Sequence, residues 1–336
     1  FLFQILVRGI MRLQSTLFCL LFLSFYACQK NEDGLNPEAL EYRQAMRDFV
    51  IGISNAANSE NPDFLIIPQN GIELITNDGE DNGPINLTYL NAIDGHGQED
   101  LFYGYDTDNQ ATSNNDNAYL RGFLNISKGN DKQILVTDYC SSTGKMNDSY
   151  SKNNTQGYIS FAANHRELDN IPTYPMTING ENNAQIQGLS SVKNFLYLIN
   201  PDGFQTKASF INAVTATNYD LLIMDLFFHD GQAFTADEII RLKSKANGGT
   251  RLVICYMSIG EAEDYRYYWN SAWQNNKPSW LEAENRDWPG NYKVKYWDSA
   301  WQEIIFGNND SYLNKILNTH FDGVYLDIID AFGYFE

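Results

Sequence analysis

The sequence predicts an α/β fold of parallel strands joined by crossover helices, and three observations lead there. Short apolar runs recur along the chain, helical stretches alternate with them, and most runs close on a polar or acidic residue. The runs are Phe64–Ile67, Leu90–Ile93, Ile134–Tyr139, Tyr158–Ala163, Phe195–Ile199, Leu221–Leu226, Leu252–Met257, Val294–Trp297 and Val324–Ile329. Runs this short, bounded by glycine- and asparagine-rich loops, read as buried strands, and alternation with helices makes neighbouring strands parallel.

One crossover is legible in detail. After Leu221–Leu226, Thr235 and Glu238 have capping-box spacing, with Phe234 and Ile239 placed as a hydrophobic staple. Ile239, Ile240 and Leu242 supply the expected buried stripe, and Asn247-Gly248-Gly249 the expected stop before strand Leu252–Met257. Such a β-α-β unit is right-handed. Upstream, Leu40, Met46, Phe49, Val50 and Ile53 recur at helical spacing between Pro37 and Asn58 and predict an amphipathic helix. The polar stretches Asn77–Pro84, Thr107–Asn117 and Asn179–Gly188 read as long loops after strands rather than linkers, because strands continue on either side.

The composition is globular: 336 residues, 43% hydrophobic and 19% charged, enough to bury a sizeable core. Acids outnumber bases 42 to 23, a formal net charge of -19, which excludes nucleic acid as a partner. A field of that sign attracts a cationic ligand such as an amino-sugar polymer; it also fits a simple solvated acidic surface.

The start of the chain reads as a leader. Met11-Arg12 opens a short basic region, Leu17–Tyr26 is apolar, and Ala27-Cys28 follows. The apolar stretch is too short to span a membrane comfortably, so residues 1–27 are expected to be upstream residues and a lipoprotein signal, with Cys28 lipidated. An uncleaved anchor is the alternative. Either way the body sits in the cell envelope, held to the membrane through its anchor alone, with 28–37 as a tether and 38–336 as the folded body. Cys140 and Cys255 lie in apolar runs and read as buried thiols, a disulfide being the minority alternative. His96, His165, His229 and His320 lack ligand spacing, so neither a metal nor a cofactor is expected, and the body reads as a monomer.

The polar residues at strand ends carry the functional expectation. Gln69-Asn70, Asp94, Asp138, Asp225, Ser258 with Glu261 and Glu263, Asp298, and Asp327 with Asp330 each follow an apolar run. In a barrel of parallel strands the C-terminal strand ends converge on one mouth. Alternation sends Val324, Leu326 and Ile328 outward and Tyr325 and Asp327 inward. A single such acid reads as a cap; a recurrent set would crowd one mouth, where repulsion lets one carboxyl keep its proton while another ionises. Glycoside hydrolysis uses such a pair, and sugars stack on aromatics such as Tyr256, Tyr265, Trp288 and Trp297.

The segment Cys255-Tyr256-Met257-Ser258-Ile259-Gly260-Glu261-Ala262-Glu263-Asp264-Tyr265-Arg266 resembles glycoside hydrolase family 114, the endo-α-1,4-polygalactosaminidases. Tyr219–Asp225, Trp288-Pro289-Gly290-Asn291 leading to Tyr296-Trp297-Asp298, and Phe321–Asp330 are similar as well, as are Ile66–Gly71, Glu99–Tyr103 and Val136–Tyr139. The resemblance implies a single (β/α)8 TIM-barrel-like domain acting on a polysaccharide. It implies Asp327 as one catalytic carboxylate, Asp298, Glu261 and Glu263 as choices for the second, and Asp225, Ser258, Arg266, Asn70, Glu99, Asp138, Tyr325 and Asp330 as substrate-binding. The order of segments differs from relatives, in which the Asp327–Asp330 segment precedes Pro68-Gln69-Asn70. A circular permutation, with the Tyr42–Ile53 helix standing after Phe335-Glu336 in space, accounts for this; a truncated barrel is the alternative. Characterised relatives carry a glutamate where Tyr325 stands, and the aspartate of their Trp-Leu-Asp segment has only Asp298 nearby, so a non-catalytic glycan-binding or structural lipoprotein on the same barrel is the rival expectation.

Overall fold

A computed structural model describes residues 37–336; the leader-like start, including Cys28, lies outside the described residues. Helix α1 (Pro37–Glu60) precedes β1 (Leu65–Pro68), α2 (Leu87–Asn91), β2 (Gly95–Glu99), α3 (Asn114–Gly129), β3 (Gln133–Tyr139), α4 (Thr143–Gln156) and β4 (Ile159–Ala163). Then come β5 (Phe195–Tyr197), α5 (Lys207–Thr215), β6 (Leu221–Met224), α6 (Ala236–Leu242), β7 (Leu252–Ser258), β8 (Glu261–Glu263), β9 (Leu281–Glu284), β10 (Asn291–Val294), α7 (Ser299–Gln302), α8 (Tyr312–Asn318) and β11 (Gly323–Asp327).

The fold is α/β with two parallel sheets, ordered β1-β11-β7-β6-β5 and β2-β3-β4, and a small antiparallel sheet β8-β10-β9. The parallel sheets adjoin at β1 and β2, where Gln69 bridges to Gly97, Asp94 N–H donates to Ile66 O at 2.9 Å and Asn70 N–H donates to Gly97 O at 2.9 Å. On the far side Phe161 of β4 packs 5.7 Å from the ring of Phe195 of β5. Registers Ile67↔Tyr325, Tyr325↔Tyr256 and Asp327↔Ser258 put these side chains on one face.

Strand β2 corrects the sequence reading. Leu90–Ile93 begins within helix α2, and the strand is the glycine-rich Gly-His-Gly-Gln-Glu that follows. It carries no aliphatic residue because its neighbours occupy the space: a Cβ on Gly97 would come 2.0 Å from the Tyr325 hydroxyl, and one on Gly95 would come 2.8 Å from Leu189. Val294–Trp297 is likewise not a parallel strand; β10 ends at Val294 and pairs antiparallel with β8 and β9. In α6 the capping box forms, Glu238 N–H donating to Thr235 Oγ1 at 3.3 Å and Thr235 N–H to Glu238 Oε2 at 2.8 Å. The helix stops at Leu242 rather than at the glycines, and Ile240 faces solvent instead of joining the buried stripe. Beyond it Lys245 turns inward to a fully buried ion pair with Asp220 at 2.8 Å.

Helix α1 is a structural member of the body. Met46, Phe49, Val50 and Ile53 are buried, which removes apolar area worth roughly 1.5–3 kcal/mol per side chain from water. Arg43 grips Glu336 through two hydrogen bonds of 2.7 and 3.0 Å, and the Tyr42 ring lies 5.6 Å from Phe335 and 5.1 Å from Trp297. Tyr296 fixes the same corner by donating its hydroxyl to Tyr42 O at 2.8 Å. Cys140 and Cys255 are buried free thiols. Among the described residues no helix is long and apolar enough to cross a membrane.

Candidate active site

Four strand ends bring one polar cluster together. Gln69 follows β1, Glu99 ends β2, Tyr139 ends β3 and Asp327 ends β11. The Gln69 amide nitrogen donates to Glu99 Oε2 at 3.0 Å and to Asp327 Oδ1 at 2.9 Å. Two acceptors of one amide nitrogen stand roughly 5 Å apart, the span set by its two diverging N–H bonds. Each carboxyl has a tyrosine on its other oxygen: Tyr139 donates to Glu99 Oε1, and Tyr256 donates to Asp327 Oδ2 at 2.7 Å. Tyr197, from β5, donates to Gln69 Oε1 at 3.1 Å. Asn70, held at a left-handed φ of 60°, accepts from Glu99 N–H at 3.1 Å and points its amide at Glu99 Oε2 at 3.4 Å.

Burial and neighbouring charges decide the protonation of this pair. Glu99 is pushed up to about 7, first by removal from bulk water and then by the neighbouring Asp100 charge, with Tyr139 and Arg166 opposing. Asp327 is also pushed up to about 7, by burial and then by the charge of Glu99, with Tyr256 opposing. Both remain half-buried rather than sealed. Two adjacent carboxyls both held near neutrality share a proton over that range. Arg166 distinguishes them. It stacks 3.8 Å over the Tyr139 ring and pairs with Asp100 at 2.8 Å and Asp108 at 2.6 Å, which places a cation on the Glu99 side.

A second acidic cluster is closed on itself. Arg266 donates to Asp225 at 2.8 Å and to Glu263 at 2.5 and 3.2 Å, and Tyr265 donates to Glu263 at 2.6 Å. Burial raises the Asp225 carboxyl and Arg266 opposes that rise. Glu261 lies between the clusters: it accepts from Asn285 and Tyr334, both at 2.9 Å, while its Oε2 is buried without a partner. Burial raises Glu261, and its charge is one of those that raise Asp327. Asp330, on the turn after β11, reaches solvent.

Four more of the residues named from the sequence make structural contacts instead. Asp138 is fully buried on the outward face of β3, accepting from Phe102 N–H, Tyr103 N–H, Ser149 and Asn153, and so anchors the loop after β2 to α4. Asp298 caps α7 through Ala300 N–H at 2.9 Å. Tyr325 lies one register step below Asp327, fully buried, its ring 5.3 Å from Tyr197 and its hydroxyl without a partner. Ser258 donates to the Glu261 carbonyl at 3.2 Å and supports the turn into β8. The sequence offers Gln69 only as a strand-end polar residue and Tyr256 only as a sugar-stacking aromatic, and it does not single out Tyr139, Tyr197 or Arg166; the tyrosines lie at inward positions of their strands, where an apolar strand pattern hides them. Among the described residues no group of acids, histidines and cysteines has metal-binding geometry. Two surface cavities of about 570 and 340 Å³ lie apart from this mouth, beside α4 and at the start of β11.

Residues 191–335 match glycoside-hydrolase family GH114, a stretch that holds Asp225, Tyr256, Glu261, Glu263 and Asp327 but not Gln69 or Glu99. The chain is 40% identical over 159 residues to an uncharacterized protein of Methanocaldococcus jannaschii, covering 46% of this chain and 42% of the relative. It is 42% identical over 122 residues to an uncharacterized protein of Deinococcus radiodurans, covering 36% and 37%, and 38% identical over 121 residues to one of Thermotoga maritima, covering 36% of each. The chain thus spans about two-fifths of the length of the curated relatives it matches.

Proposed function

We propose that this protein, glycoside-hydrolase-like over residues 191–335, cleaves an α-linked, galactosamine-containing polysaccharide with Glu99 and Asp327 as its working carboxyls. The observation that carries the reading is the shared Gln69 amide, which sets two half-buried carboxyls of near-neutral pKa side by side at one mouth. Asp327, against which no cation lies among the described residues and which the Glu99 charge raises, keeps the proton and serves as the acid for the leaving oxygen. Glu99, with Tyr139 and the Arg166 cation behind it, is the carboxylate that acts as nucleophile or base. Their facing oxygens, roughly 5 Å apart, fit the shorter spacing of retaining hydrolases. Glu261 and Asp330 beside the pair make the mouth attractive to an ammonium-bearing sugar.

In this reading the eight parallel strands form a TIM-type barrel, ordered β1 to β7 and then β11, and α1 fills the place of the helix that follows β11. The Arg43–Glu336 pair and the Tyr42–Phe335 contact support that permuted order. The leader-like start supports placement at the cell envelope. Tyr325 standing where characterised relatives carry a glutamate favours the rival reading, a glycan-binding barrel without turnover.

The test is incubation of the full chain with partly deacetylated α-1,4-galactosamine polymer, scored by new reducing ends. Release of oligosaccharides is the expected result. Binding of the polymer with no new reducing ends selects the rival reading.

A further inference from the structure

We propose that Gln69 is a positioning residue that dictates which oxygen of Glu99 and which oxygen of Asp327 can carry a proton. The inference rests on the reading of those two carboxyls as the working pair. Both hydrogens of the Gln69 amide are engaged, one on Glu99 Oε2 and one on Asp327 Oδ1, and the amide carbonyl accepts from Tyr197 at 3.1 Å. An amide N–H only donates, so an oxygen facing it must stay an acceptor. The Asn70 amide adds a second donor, at 3.4 Å, to the same oxygen of Glu99.

The other two oxygens face tyrosine hydroxyls, Tyr139 on Glu99 Oε1 and Tyr256 on Asp327 Oδ2. A hydroxyl can donate or accept. A proton added to the pair therefore goes to Glu99 Oε1 or Asp327 Oδ2, and the tyrosine there turns its hydrogen away to receive it. Both tyrosines are held well above the ordinary phenol range by burial and by these carboxylates, so they stay protonated throughout. Gln69 is 2% exposed and acts through the carboxyls rather than on a sugar. The remaining charges that bear on the pair are Asp100, Arg166, Glu261 and Asp330; none is hydrogen-bonded to Gln69 among the described residues.

Gln69→Met keeps the length of the side chain and removes both donors. The measurement is a carbon-13 NMR titration of the Glu99 and Asp327 carboxyls in the full chain, beside kcat/KM against pH on the galactosamine polymer. Both carboxyls should titrate about one pH unit higher in the variant, and the acidic limb of the rate profile should move with them. Unchanged carboxyl titrations in a folded Gln69→Met protein would overturn the proposal. Should that variant not fold, the wild-type Gln69 side-chain amide resonances decide: both hydrogens should shift together through the titration of the pair, and a response from one alone overturns it. The titration needs no turnover. A wild type that is inactive yet shows the shifted carboxyls on substitution loses only the hydrolase reading, whereas an active enzyme with unmoved carboxyls loses only the role of Gln69.

Discussion

The two acidic clusters at the strand ends use the same residue types and do opposite things. Asp225 and Glu263 close on Arg266, which donates to both and is itself only 4% exposed in its side chain. Glu99 and Asp327 close on an uncharged amide; Arg166, among the described residues, stands one ring away behind Tyr139 and is paired with Asp100 and Asp108. An internal guanidinium cancels charge and ties β6 to β8, so the first cluster is a latch. A neutral amide orders the oxygens but cancels nothing, so the second pair must settle its charge by holding a proton. What separates the two clusters is thus the guanidinium that the first holds inside it and the second does not.

The comparison breaks most sharply at Asp327. Asp327→Asn removes the proposed acid and should lower turnover by about 10²–10⁴-fold with melting little changed. Reducing-end assays beside a melting curve check both halves. Arg266→Leu is the mirror experiment: it leaves Asp225 and Glu263 buried without their cation and should cost about 3–5 kcal/mol in urea denaturation.

A smaller effect sharpens the contrast through pH. Glu99 and Asp327 rise from ordinary values of 4.5 and 3.8 to about 7 on folding, so the folded state binds more protons than the unfolded one between those limits. Their contribution to stability is full below pH 4 and is lost as pH rises through 7. Between pH 4.5 and 7.5 the melting temperature should fall in the wild type and fall less in Asp327→Asn. An identical slope in the two proteins would show that the pair is not raised. The smallest expected effect is at Tyr325, whose buried hydroxyl lacks a partner; Tyr325→Phe should change stability by less than about 1 kcal/mol.

Much of the frame was legible in the chain because burial on both faces makes parallel strands read as apolar runs. Asp327 and Tyr325 could be placed on the inward face by alternation alone, and the registers with Ser258 and Tyr256 agree. Strand β2 was hidden because Tyr325 and Leu189 fill the space its side chains would need, leaving glycines where the pattern asks for aliphatics. With the strand hidden, Glu99 read as a sugar-binding residue rather than a partner of Asp327. The bridge itself joins residues 30 and 258 positions apart, a contact no local spacing encodes. Asp138 shows the converse limit: one step along β3 from Tyr139 points its carboxylate out of the mouth and into the α4 helix.

The most direct measurement sets Glu99→Gln against Glu263→Gln, with hydrolysis of the galactosamine polymer and melting temperature read on both. The account predicts that Glu99→Gln loses hydrolysis and keeps its melting temperature, while Glu263→Gln keeps hydrolysis and melts several degrees lower. The reverse outcome, an active Glu99→Gln beside an inactive but stable Glu263→Gln, would contradict it and move the chemistry to the Arg266 cluster.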